Sequence, residues 1–240
     1  MTRRIDCLGR VKQLFSLGVV CLLLPILWPV AETKAAGGAH IVDDSEVEKP
    51  GTCHYEFWVT RFVPGDGYAN FAPACTLSQI PTLEFGGLLQ HYWDEATNAP
   101  FLGPQVKLNL KPVSSGLGIA IEFNGGVNLR TGDLGFASAL VPVTIPVNDK
   151  VRVNLNAGWS YIGGVDIAHA MFYGAQVEAE VGFDLKLMIE AFGRSRGVNG
   201  VQMGLRYTPR DGPIDFDFLA GNFFDTASSR FFTVGVTVRY

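Results

Sequence analysis

Charge is what this chain has least of. Only 18% of its 240 residues are charged, and the 19 Lys+Arg are outnumbered by 23 Asp+Glu. A nucleic-acid binder needs a basic surface and a disordered tail needs low apolar content, so a slightly acidic chain that is 48% apolar is expected to be neither. Four cysteines and four histidines are few, and none falls in a zinc-ligand or nucleophile pattern. No phosphate loop is present, and Gly116-x-Gly118 sits in a strand pattern rather than at a helix start, so it is no dinucleotide fingerprint. A helical period is missing as well. What is plentiful is Gly, at 28, and Phe, at 17.

The N-terminus reads as a targeting segment. Arg3, Arg4, Arg10 and Lys12 precede an apolar stretch from Leu14 to Val30, and small residues follow at Ala35, Ala36, Gly37 and Gly38. That order is the one of a secretory signal peptide, assigned here to residues 1–35. A retained anchor is disfavoured because Pro25 and Pro29 break a run already shorter than the roughly 20 residues of a spanning helix. Cleavage removes five basic and two acidic residues, leaving 14 against 21. It also removes Cys7 and Cys21, so Cys53 and Cys75 alone reach an oxidising compartment and are expected to form a disulfide. Residues 36–51 then read as a short periplasmic lead.

From residue 52 to 240 apolar and polar residues alternate with period two, which puts them on opposite faces of β-strands. Val151, Val153, Leu155, Ala157, Trp159 and Tyr161 alternate with Arg152, Asn154, Asn156 and Ser160. Gly, Pro, Asn and Asp clusters divide the region into about twelve strands, with ten or fourteen as alternatives: 52–63, 67–77, 81–93, 102–111, 115–125, 135–146, 150–161, 170–181, 183–193, 199–208, 213–222 and 230–240. Connections after the even-numbered strands read as short and most of the others as longer. Export, an even count and this asymmetry predict an all-β fold, an antiparallel up-and-down transmembrane barrel in outer-membrane lipid. Tyr92, Trp93, Trp159, Tyr161, Tyr207 and Tyr240 lie near strand ends and are expected in interfacial girdles.

On the face opposite the apolar one lie Glu84, Lys107, Glu122, Arg152, Glu178, Glu180, Asp184, Lys186, Glu190, Arg206, Asp215, Asp217 and Arg239. A basic residue facing lipid at mid-membrane costs about 2–4 kcal/mol, so these are expected in the lumen. Symmetric turns would set Glu178 opposite Lys186 and Arg206 opposite Asp215. Such pairs either knit a closed interior or, because acids outnumber bases, line a polar pathway.

Two stretches carry family resemblances. Phe232-x-Val234-x-Val236-x-Val238-x-Tyr240 resembles the terminal assembly signal of Gram-negative outer-membrane proteins, which implies recognition by the barrel-assembly machinery. Ala39 to Gly51, with its Asp43-Asp44 and Pro50-Gly51, leading into Cys53-His54-Tyr55-Glu56-Phe57-Trp58, resembles the opening of the transporter family named for the MetA phenol-degradation pathway. That resemblance covers about 20 residues and implies a barrel passing hydrophobic or aromatic compounds.

The expectation is therefore a non-enzymatic outer-membrane barrel, without cofactor, metal or nucleic-acid partner, that passes a small solute by diffusion through a lumen gated by its longer loops. A structural or adhesive barrel with a closed, salt-bridged lumen is the alternative, and a soluble exported β-sandwich the third. A metal on His54, His91 and His169 would require three distant strands to converge.

Overall fold

The computed structural model describes residues 39–63, 65–93, 98–224 and 230–240. The signal-peptide assignment, residues 1–35, lies outside them. Twelve antiparallel strands follow in chain order: β1 (Cys53–Phe62), β2 (Gly67–Thr76), β3 (Leu83–Trp93), β4 (Ala99–Lys111), β5 (Gly118–Asn128), β6 (Leu134–Asn148), β7 (Val151–Ile162), β8 (His169–Gly182), β9 (Leu185–Arg194), β10 (Asn199–Tyr207), β11 (Ile214–Phe223) and β12 (Arg230–Arg239). Each pairs with its sequence neighbours and β1 pairs with β12, so the sheet closes on itself. Closure removes the unpaired edges an open sheet would present, and it rules out the sandwich.

The burial pattern is inverted relative to a protein built for water. Gln176, Glu190 and Asp217 are each 1% exposed, while Phe123, Phe232 and Val234 are more than half exposed on the outer wall. Exposed large apolar residues recur on every strand, from Tyr55 and Phe57 on β1 to Phe232 and Val234 on β12. An unbroken apolar exterior over a polar interior is stable only with hydrocarbon outside.

Strand ends differ from the sequence reading by at most three residues, and the differences have a cause. Gly126, Val127 and Asn128 read as part of a connection but belong to β5. A Cβ on Gly126 would stand 2.6 Å from the Phe136 ring, so that glycine makes room for an inward aromatic instead of bending the chain.

The expected loop asymmetry is absent. All eleven connections have two to six residues, and those after β2, β4 and β10 are as long as any at the opposite end. Among the described residues no long connection is left to act as a gate. The β8–β9 turn carries three consecutive left-handed residues, Gly182, Phe183 and Asp184, at φ 85°, 57° and 61°, so its centre lies one residue beyond Gly182, and the β10–β11 connection contains a short helical turn at Pro209–Asp211. Both registers therefore slip from the symmetric expectation: Arg206 pairs with Asp217, and Lys186 with Glu180.

Candidate functional site: a lumen in two halves

Residues 39–51, read from the sequence as a periplasmic lead, run inside the barrel. The segment enters at the end of the barrel where Cys53 and Cys75 are disulfide-bonded and Gly51 donates its amide to the Thr76 carbonyl. It carries four acids, and three basic residues of the wall meet them. Arg239 holds Glu48 at 2.5 Å, Arg152 holds Glu46 at 2.8 Å and Asp44 at 2.9 Å, and Lys107 holds Asp43 at 2.5 Å. Arg152 also binds Glu178 at 2.7 Å, and Glu178 binds Lys186 at 2.8 Å.

The segment's backbone is matched as closely as its charges. Asn156 accepts from the Asp43 amide and donates to the Asp43 carbonyl, and Thr144 accepts from the Ser45 amide while Asn109 donates to the Ser45 carbonyl. Glu190 accepts from the Ile41 and Val42 amides, from Gln202 and from His40. A buried backbone left unpaired is costly, so these side chains replace the strand partners the segment lacks. The segment itself crosses no lipid. Burial pushes the His40 imidazole down, but the carboxylates of Glu190 and Asp217 outweigh it and raise its pKa to about 9.

Two inward glycines shape the passage. A Cβ on Gly174 would lie 2.6 Å from Val42, and one on Gly118 would lie 2.1 Å from the Ser45 hydroxyl. Any side chain at either position would occupy space the segment fills.

The segment does not fill the whole cross-section. On the β1–β6 side a cavity of about 200 Å3 is lined by Asp43, Glu56, Asn70, Gln90 and Glu122 among others, and a smaller one, of about 50 Å3, shares Asp43, Glu56, Gln105 and Glu122 with it. Neither polar atom of the Asn70 amide, nor Glu122 Oε2, has a protein partner among the described residues. This is a polar seam beside the segment.

The other half of the lumen is aromatic. Ring contacts run around the inner wall from Phe136 to Phe101, Tyr92, Tyr68, Phe62, Phe231, Phe223 and Phe192, with centroids 4.9–6.1 Å apart. Val42 forms a core cluster with Phe192 and Phe231, and Ile41, Phe62, Phe172 and Phe223 pack against it. On the far side of that contact lies a cavity of about 810 Å3 lined by Phe62, Tyr92, Phe172, Phe192, Phe223 and Arg194 among others. The lumen is thus an aromatic vestibule stoppered by an ion-paired segment.

Of the charges expected inside, Glu122, Arg152, Glu178, Arg206, Asp215, Asp217 and Arg239 are buried there. Arg206 grips Asp217 through two hydrogen bonds of 2.7 and 2.9 Å, and Asp215 goes to Arg239 at 2.7 Å. Lys186 is partly buried, and Glu180 keeps the inward parity but is exposed at the rim. Asp184 is a correction: it lies on the β8–β9 turn, exposed, accepting from the Arg210 amide. Among the described residues no group of three metal-ligating side chains occurs. His54 is buried inside, whereas His91 and His169 occupy outward-parity positions. Phe232, Val234, Val236, Val238 and Tyr240 follow the outward parity of β12, and Tyr240 stacks on Tyr55 at 5.0 Å. Tyr92 is another correction, an inner-wall residue rather than part of a lipid-side girdle. The inner aromatic ring was missed because Phe was assigned to the lipid face wholesale. Parity could have found it: Phe62 follows Thr60, and Phe192 follows Glu190, at spacing two.

A family model described as uncharacterised conserved protein UCP029691 matches residues 24–240. The chain belongs to that family. No curated protein matches the sequence. Solved structures match the fold at low identity. The KdgM porin shares 10% of residues over 78% of this chain and 98% of its own, with a TM-score of 0.59; a second KdgM structure, in complex with disordered oligogalacturonate, gives 10%, 78%, 98% and 0.57. The COG4313 outer membrane channel from Pseudomonas putida F1 is 11% identical over 82% of this chain and 98% of its own, with a TM-score of 0.57. The architecture is that of outer-membrane barrels.

Proposed function

We propose that the protein is a passive channel of the bacterial outer membrane for small hydrophobic or aromatic solutes, and that its own N-terminal segment holds it closed. One observation carries this reading: the phenylalanines that line the aromatic vestibule also pack around Ile41 and Val42, residues of a segment held by reversible ion pairs and hydrogen bonds. A purely structural barrel has no need of a roomy apolar chamber, which matches the 300–1,000 Å3 range of ligand sites. We place the end carrying Cys53, Cys75 and Tyr240 at the periplasm, so that the vestibule faces outward. Kinship with the MetA-pathway transporters agrees with this chemistry and forms part of the proposal. Solute reaches the vestibule by partitioning and passes when the segment withdraws along the polar seam.

The structural or adhesive reading draws on a specific observation too, the saturation of Arg152 and Arg239 by carboxylates. Single-channel conductance of the mature chain in planar bilayers, with and without residues 39–48, separates the two. Rare openings of the intact chain and steady openings of the deletion variant are expected, with current reduced by an aromatic solute added on the vestibule side. A deletion variant that is demonstrably folded yet silent overturns the channel reading in favour of the closed barrel.

A further inference from the structure

The vestibule contains a half-buried cation that no carboxylate of the described residues balances. Arg194, the last residue of β9, has inward parity with Glu190 and Phe192. Its Nε donates to the Ser160 hydroxyl at 3.0 Å, and its Nη2 to the Ala168 and Ser160 carbonyls at 2.7 and 3.4 Å. Among the described residues no acid reaches it. By contrast Lys107, Arg152, Lys186, Arg206 and Arg239, the inward cations of the other half, each hold a carboxylate at 2.5–2.8 Å. Asp66 and Asp166 also line the chamber, but both are exposed, where charge is screened by water and salt. Arg196, nearby, is exposed as well.

Neutral hydrogen bonds to Ser160 and Ala168 fix the guanidinium in place without neutralising it. A guanidinium set among aromatic rings is a strong recognition element for one carboxylate, because low local polarity strengthens the pair and the planar fork fits two oxygens. The rest of the chamber offers apolar surface from Phe62, Phe172, Phe192 and Phe223. We propose that the vestibule is a binding site for small amphipathic carboxylates, the head pairing with Arg194 and the aromatic or aliphatic body lying against these rings. The proposal rests on the channel reading for its role in traffic, but the site is complete without the segment moving.

The test uses the intact mature chain in detergent and two probes of one shape, 4-phenylbutyrate and the neutral 4-phenylbutan-1-ol, with binding followed by calorimetry. A hydrogen bond between charged groups is worth about 1.5–3 kcal/mol, so the acid is expected to bind at least about tenfold more tightly than the alcohol. Arg194→Gln should bring the acid to the alcohol's affinity and leave the alcohol unchanged. Arg194→Lys should keep part of the preference, and Arg196→Gln should change it less than about twofold. Equal binding of acid and alcohol by the unmodified protein overturns the proposal without any variant having to fold, and so does an unaltered preference in folded Arg194→Gln. If the acid preference holds while the 39–48 deletion is silent, the channel reading fails and the site stands. If the deletion conducts but the acid has no preference, the site fails alone.

Discussion

The two halves of this lumen solve the same packing problem with opposite chemistry. Around Arg152, Lys107 and Arg239 the interior is filled by a strand-like piece of the chain's own N-terminus, and charges on wall and segment are matched within 3 Å. Around Phe62, Phe192 and Phe223 the interior is left open and lined with rings, and its half-buried cation, Arg194, lacks an acid among the described residues. A barrel of twelve strands lies between eight, whose interior side chains fill, and sixteen, which leaves an aqueous channel. Where this one is closed, it is closed by added chain; where nothing is added, it stays a chamber. The ion-paired half therefore carries stability and closure, and the aromatic half carries recognition.

That division can be broken from the ionic side first. Arg152 meets Asp44, Glu46 and Glu178, and Arg152→Gln leaves those carboxylates facing one another. Breaking a buried pair by removing one partner costs about 3–5 kcal/mol, so a large drop in the urea midpoint is expected, with the acid-over-alcohol preference of the vestibule retained. Loss of both together would mean the halves are one unit. A milder break is Gly174→Leu, which adds a side chain where Val42 now sits. It should expel the segment from an intact barrel, seen as protease-sensitive residues 39–48 and a conductance like that of the deletion. An unchanged conductance would show that the segment does not block the pathway.

The smallest effect is expected at the boundary between halves. His40 has a folded-state pKa of about 9 against an ordinary 6.5. Its charge therefore stabilises the docked segment fully below about pH 6.5, and that contribution is lost as pH rises through 9. Openings of the intact chain should become more frequent between pH 7.5 and 9.5, and His40→Gln should flatten that dependence. A slope that survives the substitution would place the titrating group elsewhere.

Much of the barrel was legible because its physics is local. Strand number and parity follow from period-two alternation, which a one-residue slip would reverse, and the inward placement of Glu178, Arg206 and Asp217 comes with the parity. Turn geometry was less legible. Phe183 and Asp184 join Gly182 in the left-handed conformation, and the β8–β9 and β10–β11 registers each lie two residues from the symmetric expectation. The lead segment was misplaced for a different reason. His40 to Glu48 is polar, acidic and without alternation, so it looks like solvated chain; only the closed wall brings Lys107, Arg152 and Arg239, from β4, β7 and β12, to one axis where those acids find partners.

By itself, then, the sequence determined a barrel of about twelve strands with an apolar exterior, a polar interior and one cysteine pair, because each follows from period, parity and the two cysteines that lie within the alternating region. Only the tertiary structure decided what occupies the interior. Which residues meet across a lumen depends on strand tilt, register and closure, and closure rests on a ladder between the first and last strands, which sets His54 opposite Arg239 and leaves Arg239 to meet Glu48, 191 positions away in the chain.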